Sequence, residues 1–204
     1  MKADSSKMKC GGVRVEREAR RQHILEATVT CVRASGFHGA SMMEIAKEAG
    51  ISVSAIYRYF ASKEAIIEAI VADDAADIQE KFQEWDTTPD CELVSRLCDI
   101  VEPAIKRNRD PRRAALSLEI LAEAARNPRI GEIVRQAGLN QRELRGKLWR
   151  RIAPALSSST QAARAEVLAM VFDGLMSQSL SNPNLDETSI ADAIRIVVRA
   201  LMSS

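Results

Sequence analysis

The chain has 204 residues, of which 46% are hydrophobic and 28% are charged, and its formal net charge is +1. This composition is typical of a globular protein and excludes a disordered or fibrous one, and the aromatic content of 4% favours an aliphatic, helical core. The charge is uneven, because residues 1–63 carry a net charge of +5 and the remainder −4. A basic end on a nearly neutral chain indicates local contact with a polyanion.

The termini and the cysteines narrow the class of protein further. The N-terminus is too polar for a signal peptide and no run approaches the roughly 18 apolar residues that cross a bilayer, so we expect a soluble, cytoplasmic protein without a membrane partner. Cys91 and Cys98 lie seven positions apart and favour either a redox sensor or two buried small residues. The sequence lacks C-x-x-C pairs, Gly-rich phosphate loops and nucleophilic triads, so we expect no metal, no cofactor and no enzyme activity.

In chain order, a tail precedes a long helix. Residues 1–14 are expected to form a flexible basic tail, and the helix that follows ends at Gly36. Later helix starts are marked by cap residues, namely Ser41, Ser52, Ser62, Asp90, Asp110 and Asn127. Ser41 is followed three residues later by Glu44, which is the spacing of a capping box. The helix after Ser62 is predicted to span roughly 24 residues and to connect two domains.

Two final helices, near residues 160–180 and 187–202, complete a prediction of nine helices without a convincing strand. The chain is therefore predicted to be all-α, with a helix-turn-helix domain at residues 15–61 and a larger helical domain at residues 62–204. The last helix carries an apolar stripe that consists of Ile190, Ile194, Val197 and Leu201. With Gly174, which lets a neighbouring helix approach, the stripe favours a homodimer through the last two helices. The alternative is that these helices close the chain's own core.

Residues 41–63 have the form of a helix-turn-helix, in which the second helix enters the major groove of DNA. Ile56 and Phe60 are predicted to face inward, which places Ser54 and Arg58 on the opposite side of that helix. The candidates for contact with base edges are Ser54, Ala55, Tyr57 and Arg58. Among the side chains of this helix, Arg58 alone can make a bidentate contact with guanine.

Phosphate contacts are predicted on both flanks of the motif. Ser41 lies at a helix N-terminus, where its hydroxyl and the free amides can bind a phosphate. Tyr57 and Tyr59 can contact the DNA backbone through their hydroxyls, and Lys63 can do so through its charge.

The pattern from Gly36 to Lys63, with its Ser-Met-x-x-Ile-Ala, Ala-Gly-Ile-Ser and Ile-Tyr-x-Tyr-Phe-x-Ser-Lys segments, resembles the head signature of the TetR family of transcriptional regulators. The resemblance implies a three-helix DNA-binding head, joined by helix four to a helical ligand-binding and dimerisation domain. It implies DNA contacts at Ser41, Met42, Ser52, Val53, Ser54, Ala55, Tyr57, Tyr59 and Lys63. At the position of Arg58 the family often has a packing residue, so the two interpretations of Arg58 conflict.

The same resemblance implies a small-molecule effector, of unknown identity, held among helices four to eight. The predicted apolar lining consists of Phe82, Leu97, Ile100, Ile105, Leu116, Ile120 and Phe172. Plain core packing is the alternative for each of them. Four acidic residues, Glu102, Glu119, Glu123 and Asp173, suggest a cationic ligand, although pairing with nearby arginines would also explain them.

The leading interpretation is a homodimeric, ligand-responsive repressor that binds a pseudo-palindromic double-stranded DNA operator and is released by its effector. The alternative from another class is a helical small-molecule-binding or adaptor protein without specific DNA binding.

Overall fold

The computed structural model describes the backbone of residues 6–203 and the side chains of residues 15–203. Within that range the chain is helical and contains no strand, which confirms the all-α prediction. It divides into two compact units, Met1–Ile70 and Val71–Ser204, and the division falls inside one long helix. That helix therefore contributes residues to both units.

The first unit is built from three helices and the start of a fourth: α1 (Ser6–Gly39), α2 (Met42–Glu48), α3 (Val53–Tyr57) and α4 (Lys63–Asp86). Gly36 has φ 72° and ψ 174°, so the regular part of α1 ends there as the sequence predicted. Since α1 begins at Ser6, part of the expected tail of residues 1–14 is helical, and residues 1–5 of that tail lie outside the described residues. The third helix is shorter than predicted, because turns follow Tyr57.

The second unit continues α4 and adds a short 3₁₀ turn and six helices: Asp90–Glu92, then α5 (Leu93–Asp99), α6 (Val101–Arg109), α7 (Pro111–Ala124), α8 (Pro128–Ile152), α9 (Ser158–Ser181) and α10 (Glu187–Met202). The predicted fifth helix is divided at Ile100. Pro103 explains the division, because it has no N–H to donate to Asp99 and its ring crowds that carbonyl. Asp110 and Asn127 cap α7 and α8 through their side chains, as predicted.

Each unit has its own apolar core. The first is centred on four residues with no exposed surface, Ile24, Ile45, Ile56 and Ile66. The second joins α5, α6, α9 and α10 through residues that include Leu93, Val101, Ile105, Leu175 and Val198. None of the helices in the described part of the chain is long and apolar enough to cross a membrane.

Three of the four residues of the predicted α10 stripe pack on the chain's own core. Ile194 is buried in the core of the second unit, and Ile190 and Leu201 pack against that core. These three residues therefore contribute to the chain's own core, as the alternative interpretation expects, and Val197 is half-buried outside that cluster. The physical reason is that α10 packs on α5, α6 and α9 with its most hydrophobic face.

Candidate nucleic-acid interface

The start of α2 is fixed by a complete capping box. Ser41 Oγ accepts a hydrogen bond from the Glu44 amide at 3.2 Å, and the Ser41 amide donates to Glu44 Oε2 at 2.9 Å. The donation by Ser41 lowers the pKa of Glu44, because it stabilises the carboxylate. Ser41 lies at the N-terminus of α2 and is half-buried, so part of its surface is open to a phosphate.

The short helix α3 presents a polar face above a buried one. Ser52 Oγ accepts a hydrogen bond from the Ala55 amide at 3.1 Å and lies 3.0 Å from Ser54 Oγ. Ile56 is fully buried, whereas the Tyr57 side chain is 54% exposed. The predicted inward and outward faces of this helix are therefore observed.

The remaining predicted contact residues divide into two groups. Ser52, Ser54 and Arg58 are exposed, whereas Ala55 is half-buried. Met42, Val53 and Tyr59 are partly buried and pack against the core of the first unit. On α2 it is Met43, 71% exposed, that presents an apolar side chain to the surface.

Lys63 has a partner inside the protein. Its Nζ donates to the backbone oxygen of Phe37 at 2.6 Å and lies 4.2 Å from the centre of the Phe37 ring. An ammonium group has three donors, so this hydrogen bond leaves two of them for other acceptors. Lys63 thus ties the start of α4 to the end of α1, a structural role that the sequence pattern did not reveal.

An open groove of about 540 Å³ lies beside α3. Its lining combines residues of α1 with residues of the motif, namely Glu16, Arg17, Arg20, Ile51, Ser52, Ala55, Arg58 and Tyr59. Sequence reasoning did not name Arg17 and Arg20 as site residues. The only signal that could have pointed to them was the net positive charge of the first 63 residues.

Comparison with known proteins identifies the family. A family model described as bacterial regulatory proteins of the tetR family matches residues 24–70. A second model, described as a tetracyclin repressor-like C-terminal domain, matches residues 89–204, which is more than half of the chain. The chain belongs to the TetR family. It is a ligand-responsive DNA-binding transcriptional regulator, the class to which members of this family belong.

Relatives agree with this assignment over nearly the whole length. The HTH-type transcriptional regulator UidR of Escherichia coli strain K12 is 25% identical over 199 residues, covering 94% of this chain and 97% of that protein. The structure of Salmonella enterica GusR superposes with a TM-score of 0.76 at 28% identity, covering 90% of this chain and 95% of that one. A transcriptional regulator from Pseudomonas aeruginosa PAO1 superposes with a TM-score of 0.79 at 23% identity, covers 91% of each chain, and supports the fold alone.

In this TetR-family regulator, most of the residues predicted to line an effector site belong to the core of the second unit. Leu97 and Ile105 are buried in that core, and Phe82, Ile100 and Phe172 pack against it. Ile120 is buried and Leu116 half-buried, both on α7. The structure thus brings five of the seven residues to one apolar cluster, which is also what plain core packing requires.

Two of the acidic residues considered for a cationic ligand have arginine partners. Glu102 accepts a hydrogen bond from Arg195 at 2.6 Å, and the buried Glu123 lies 3.4 Å from Arg126. Partial desolvation raises the pKa of Asp173, and the nearby Arg145 opposes that rise. Pairing within the protein accounts for the first two carboxylates without a ligand.

The cysteines do not share one helix face. Cys98 is buried in α5, whereas Cys91 is exposed in the 3₁₀ turn, and both are free thiols. The prediction of two buried small residues is therefore wrong for Cys91. The reason is that α5 begins only at Leu93, so that the seven-residue spacing does not place the two thiols one above the other.

Proposed function

We propose that this regulator is a homodimeric repressor that acts in the cytoplasm, binds a pseudo-palindromic operator through α2 and α3, and leaves it when an effector binds. The observation that carries the proposal is the polar face of α3, where Ser52, Ser54, Tyr57 and Arg58 are exposed over the buried Ile56. A helix of this kind enters the major groove with its polar face toward the base edges.

The contacts divide by chemistry. Ser41, Tyr57, Tyr59 and Lys63 would bind phosphates, which position the protein without reading sequence. Ser54 and Ala55 are small enough for close approach to base edges, and Met42, Ser52 and Val53 would lie at the border of the interface. Arg58 is exposed and not packed, which favours a contact with guanine or phosphate over a core role.

Tyr57→Ala tests the proposal, because a side chain that is 54% exposed can be removed with little effect on the fold. The probe is a duplex of about 30 base pairs, selected from a random pool with the unmodified regulator, and long enough for two half-sites one helical turn apart. We expect Tyr57→Ala to weaken binding at least tenfold, and Tyr57→Phe to show how much of this loss is due to the hydroxyl. Thr30→Ala is the matched control, because Thr30 is an exposed residue of α1 outside α2, α3 and the groove.

Failure of the unmodified protein to bind any duplex at low salt would overturn the repressor proposal. It would favour the alternative, a helical small-molecule-binding or adaptor protein. Equal binding by the unmodified protein and by Tyr57→Ala would leave a DNA-binding protein whose contacts lie elsewhere.

Dimerisation is proposed through α9 and α10, but through different residues from those of the α10 stripe. The exposed faces of the two helices carry small and apolar residues at spacings of three and four, a set that we call the α9/α10 seam: Val167, Met170 and Gly174 on α9, and Ala193, Ile196 and Ala200 on α10. Met170 and Ile196 are each 66% exposed in the single chain. A Cβ added at Gly174 would meet nothing within 4 Å, so the chain's own fold does not require a glycine there. A second copy of the seam would cover these residues and give the glycine a role in close helix approach.

Met170→Glu and Ile196→Glu test this interface. Each should convert the dimer into monomer in sedimentation velocity, because the carboxylate would be buried without a partner. Leu121→Glu on α7 is the matched control, since Leu121 is an exposed leucine, 46% exposed, outside the seam. A dimer that survives both seam substitutions would exclude this face.

The effector response is proposed to act through α4. Asp74 of α4 forms ion pairs with Arg107 of α6, at 2.8 Å, and with Arg113 of α7. At the other end of α4, Arg151 donates to the Trp85 backbone oxygen at 2.8 Å. Three arginines therefore hold α4 within the second unit. An effector that separates Asp74 from α6 and α7 would change the helix that continues into the first unit.

The effector site is proposed to lie in the apolar cluster around Phe82, Leu97, Ile100, Ile105 and Phe172, with Leu116 and Ile120 of α7 at its edge. Mass spectrometry of molecules that co-purify with the full chain is the direct test. A molecule that is retained by the unmodified regulator but lost by Phe172→Ala would support the site. A molecule that is retained equally by both would place it elsewhere.

A further inference from the structure

The groove beside α3 has a basic wall on α1 that the predicted contacts leave unused. One wall carries Arg17 and Arg20 of α1, and the other carries Ser52, Ala55 and Arg58. Arg17 and Arg20 lie three residues apart, so they project from one face of their helix. The groove therefore adjoins residues that belong to the proposed DNA interface.

The three arginines of the groove are available for an external partner. All three are exposed, and the guanidinium group of none of them forms an ion pair or hydrogen bond with another residue in the described part of the chain. The next arginine along α1 behaves differently, because Arg21 pairs with Glu18 at 3.2 Å and lies 5.6 Å from the centre of the Phe60 ring. The side chains that face the groove are thus the ones whose guanidinium groups remain free to bind an anion.

The balance of charge favours a polyanion. Three guanidinium groups face one carboxylate, Glu16, in a groove that is open to solvent. A guanidinium presents five donors in a planar fork that matches the oxygens of a phosphate. Tyr59, which also lines the groove, adds a hydroxyl that can contact the same kind of group.

We propose that Arg17 and Arg20 bind the sugar-phosphate backbone of the operator that borders the major groove in which α3 lies. The inference rests on the proposed function. When α3 enters the major groove of DNA, one DNA strand passes beside α3 along the edge of that major groove. The protein groove lined by Arg17, Arg20 and Arg58 is the basic channel beside α3. The two arginines contribute affinity and register, and base discrimination stays with α3.

The salt dependence of binding isolates this role. Each lost phosphate contact makes the plot of log Kobs against log salt concentration less steep by about 0.9. We expect Arg17→Ala and Arg20→Ala each to reduce the slope by about 0.9 per chain, and the double variant by about 1.8 per chain. The loss of affinity should be equal on the selected duplex and on a scrambled one, so that the ratio between them is unchanged.

Two further variants sharpen the test. Glu16→Gln removes the negative charge from the groove and should tighten binding roughly two- to fivefold at low salt. The double variant Arg17→Lys/Arg20→Lys should keep the slope near that of the unmodified protein, because it keeps both charges. Arg33→Ala is the matched control, since Arg33 is an exposed arginine of α1 that does not line the groove.

The outcomes separate this inference from the function on which it rests. If the unmodified protein binds DNA and the alanine variants keep its slope, as Arg33→Ala should, the inference is wrong and the proposed function stands. A changed ratio between selected and scrambled duplex would also overturn it, since the arginines would then read bases. Failure of the unmodified protein to bind would remove the proposed function itself. Circular dichroism of each variant checks that α1 remains folded.

Discussion

Replacing Lys63 with methionine is expected to loosen the first unit in addition to weakening DNA binding. Methionine keeps the apolar stem but has no ammonium group. It therefore loses the 2.6 Å hydrogen bond to the Phe37 carbonyl and the contact at 4.2 Å with the Phe37 ring. Phe37 is 4% exposed and follows the break in α1 at Gly36, so the contact fixes the chain where it turns toward α2.

The magnitude follows from these two contacts. A hydrogen bond to a charged group contributes about 1.5 to 3 kcal/mol, and a cation–π contact about 0.5 to 1 kcal/mol. Lys63 is half-buried, so water replaces part of both contacts after the substitution, and a net loss of about 2 kcal/mol is expected. Since about 1.4 kcal/mol corresponds to a factor of ten, local opening should become about 30 times more frequent.

Hydrogen exchange measured by mass spectrometry is the appropriate assay, because two compact units make a single free energy of unfolding poorly defined. Amides of α2 and of the loop before it should exchange about 30 times faster in Lys63→Met. Lys47→Met is the matched control, an exposed lysine of the same unit, with an expected effect below about 0.5 kcal/mol. Protection in Lys63→Met that matches the control would refute the structural role of Lys63 and leave only its charge.

Three other experiments test the fold and the proposed coupling. Asp74→Asn removes the carboxylate that pairs with both Arg107 and Arg113. Exchange in α6 and α7 should become faster by the equivalent of about 1 to 2 kcal/mol, a value discounted for the partial exposure of the pair. Glu80→Gln, on the exposed side of α4, should have no such effect. Because the pKa of Glu44 is lowered in the folded protein, the capping box is complete above the ordinary glutamate pKa of about 4.3 and is lost as pH falls through the lower folded value. Hydrogen exchange in α2 should therefore become faster only below about pH 4. A transition above that pH would show that the pKa of Glu44 is not lowered. Gly36→Ala should destabilise the first unit by about 1 to 3 kcal/mol, because only glycine readily adopts the backbone angles found there. Gly138 lies inside α8, where an added Cβ meets nothing within 4 Å, so Gly138→Ala should stabilise α8 by about 0.5 to 1 kcal/mol. In hydrogen exchange, α2 should open more often in Gly36→Ala and α8 less often in Gly138→Ala. Changes of the same sign in the two variants would contradict this expectation.

Local interactions explain why so much of the fold was predictable. The caps at Ser41, Ser52, Asp110 and Asn127 join residues two or three apart, so the spacing of residue types in the sequence carries the whole signal. The break at Ile100 was not predicted, although Pro103 is visible in the sequence. Proline is tolerated in the first turn of a helix, and Pro103 lies in the first turn of α6, which begins just after the break.

Contacts between distant residues explain what was not predictable. The bond from Lys63 to Phe37 spans 26 positions, and the pairing of Arg107 with Asp74 spans 33. Nothing in the residue types of either pair distinguishes them from other lysines, arginines and carboxylates on exposed helix faces. The role of Met42 shows the same limit, since two consecutive methionines differ only in which of them faces the core.

The sequence by itself determined the family, the helix order and the polar face of α3, because a helix-turn-helix is defined by residues that lie within 23 positions of one another. Only the tertiary structure decided which apolar faces remain exposed. Three of the four residues of the α10 stripe that suggested a dimer interface pack into the chain's own core, and small and apolar residues on the opposite faces of α9 and α10 are exposed. The groove formed by Arg17, Arg20 and Arg58 likewise exists only after α1 packs beside α3. Both depend on how helices pack, and helical periodicity gives the direction of a side chain but not the identity of its neighbour.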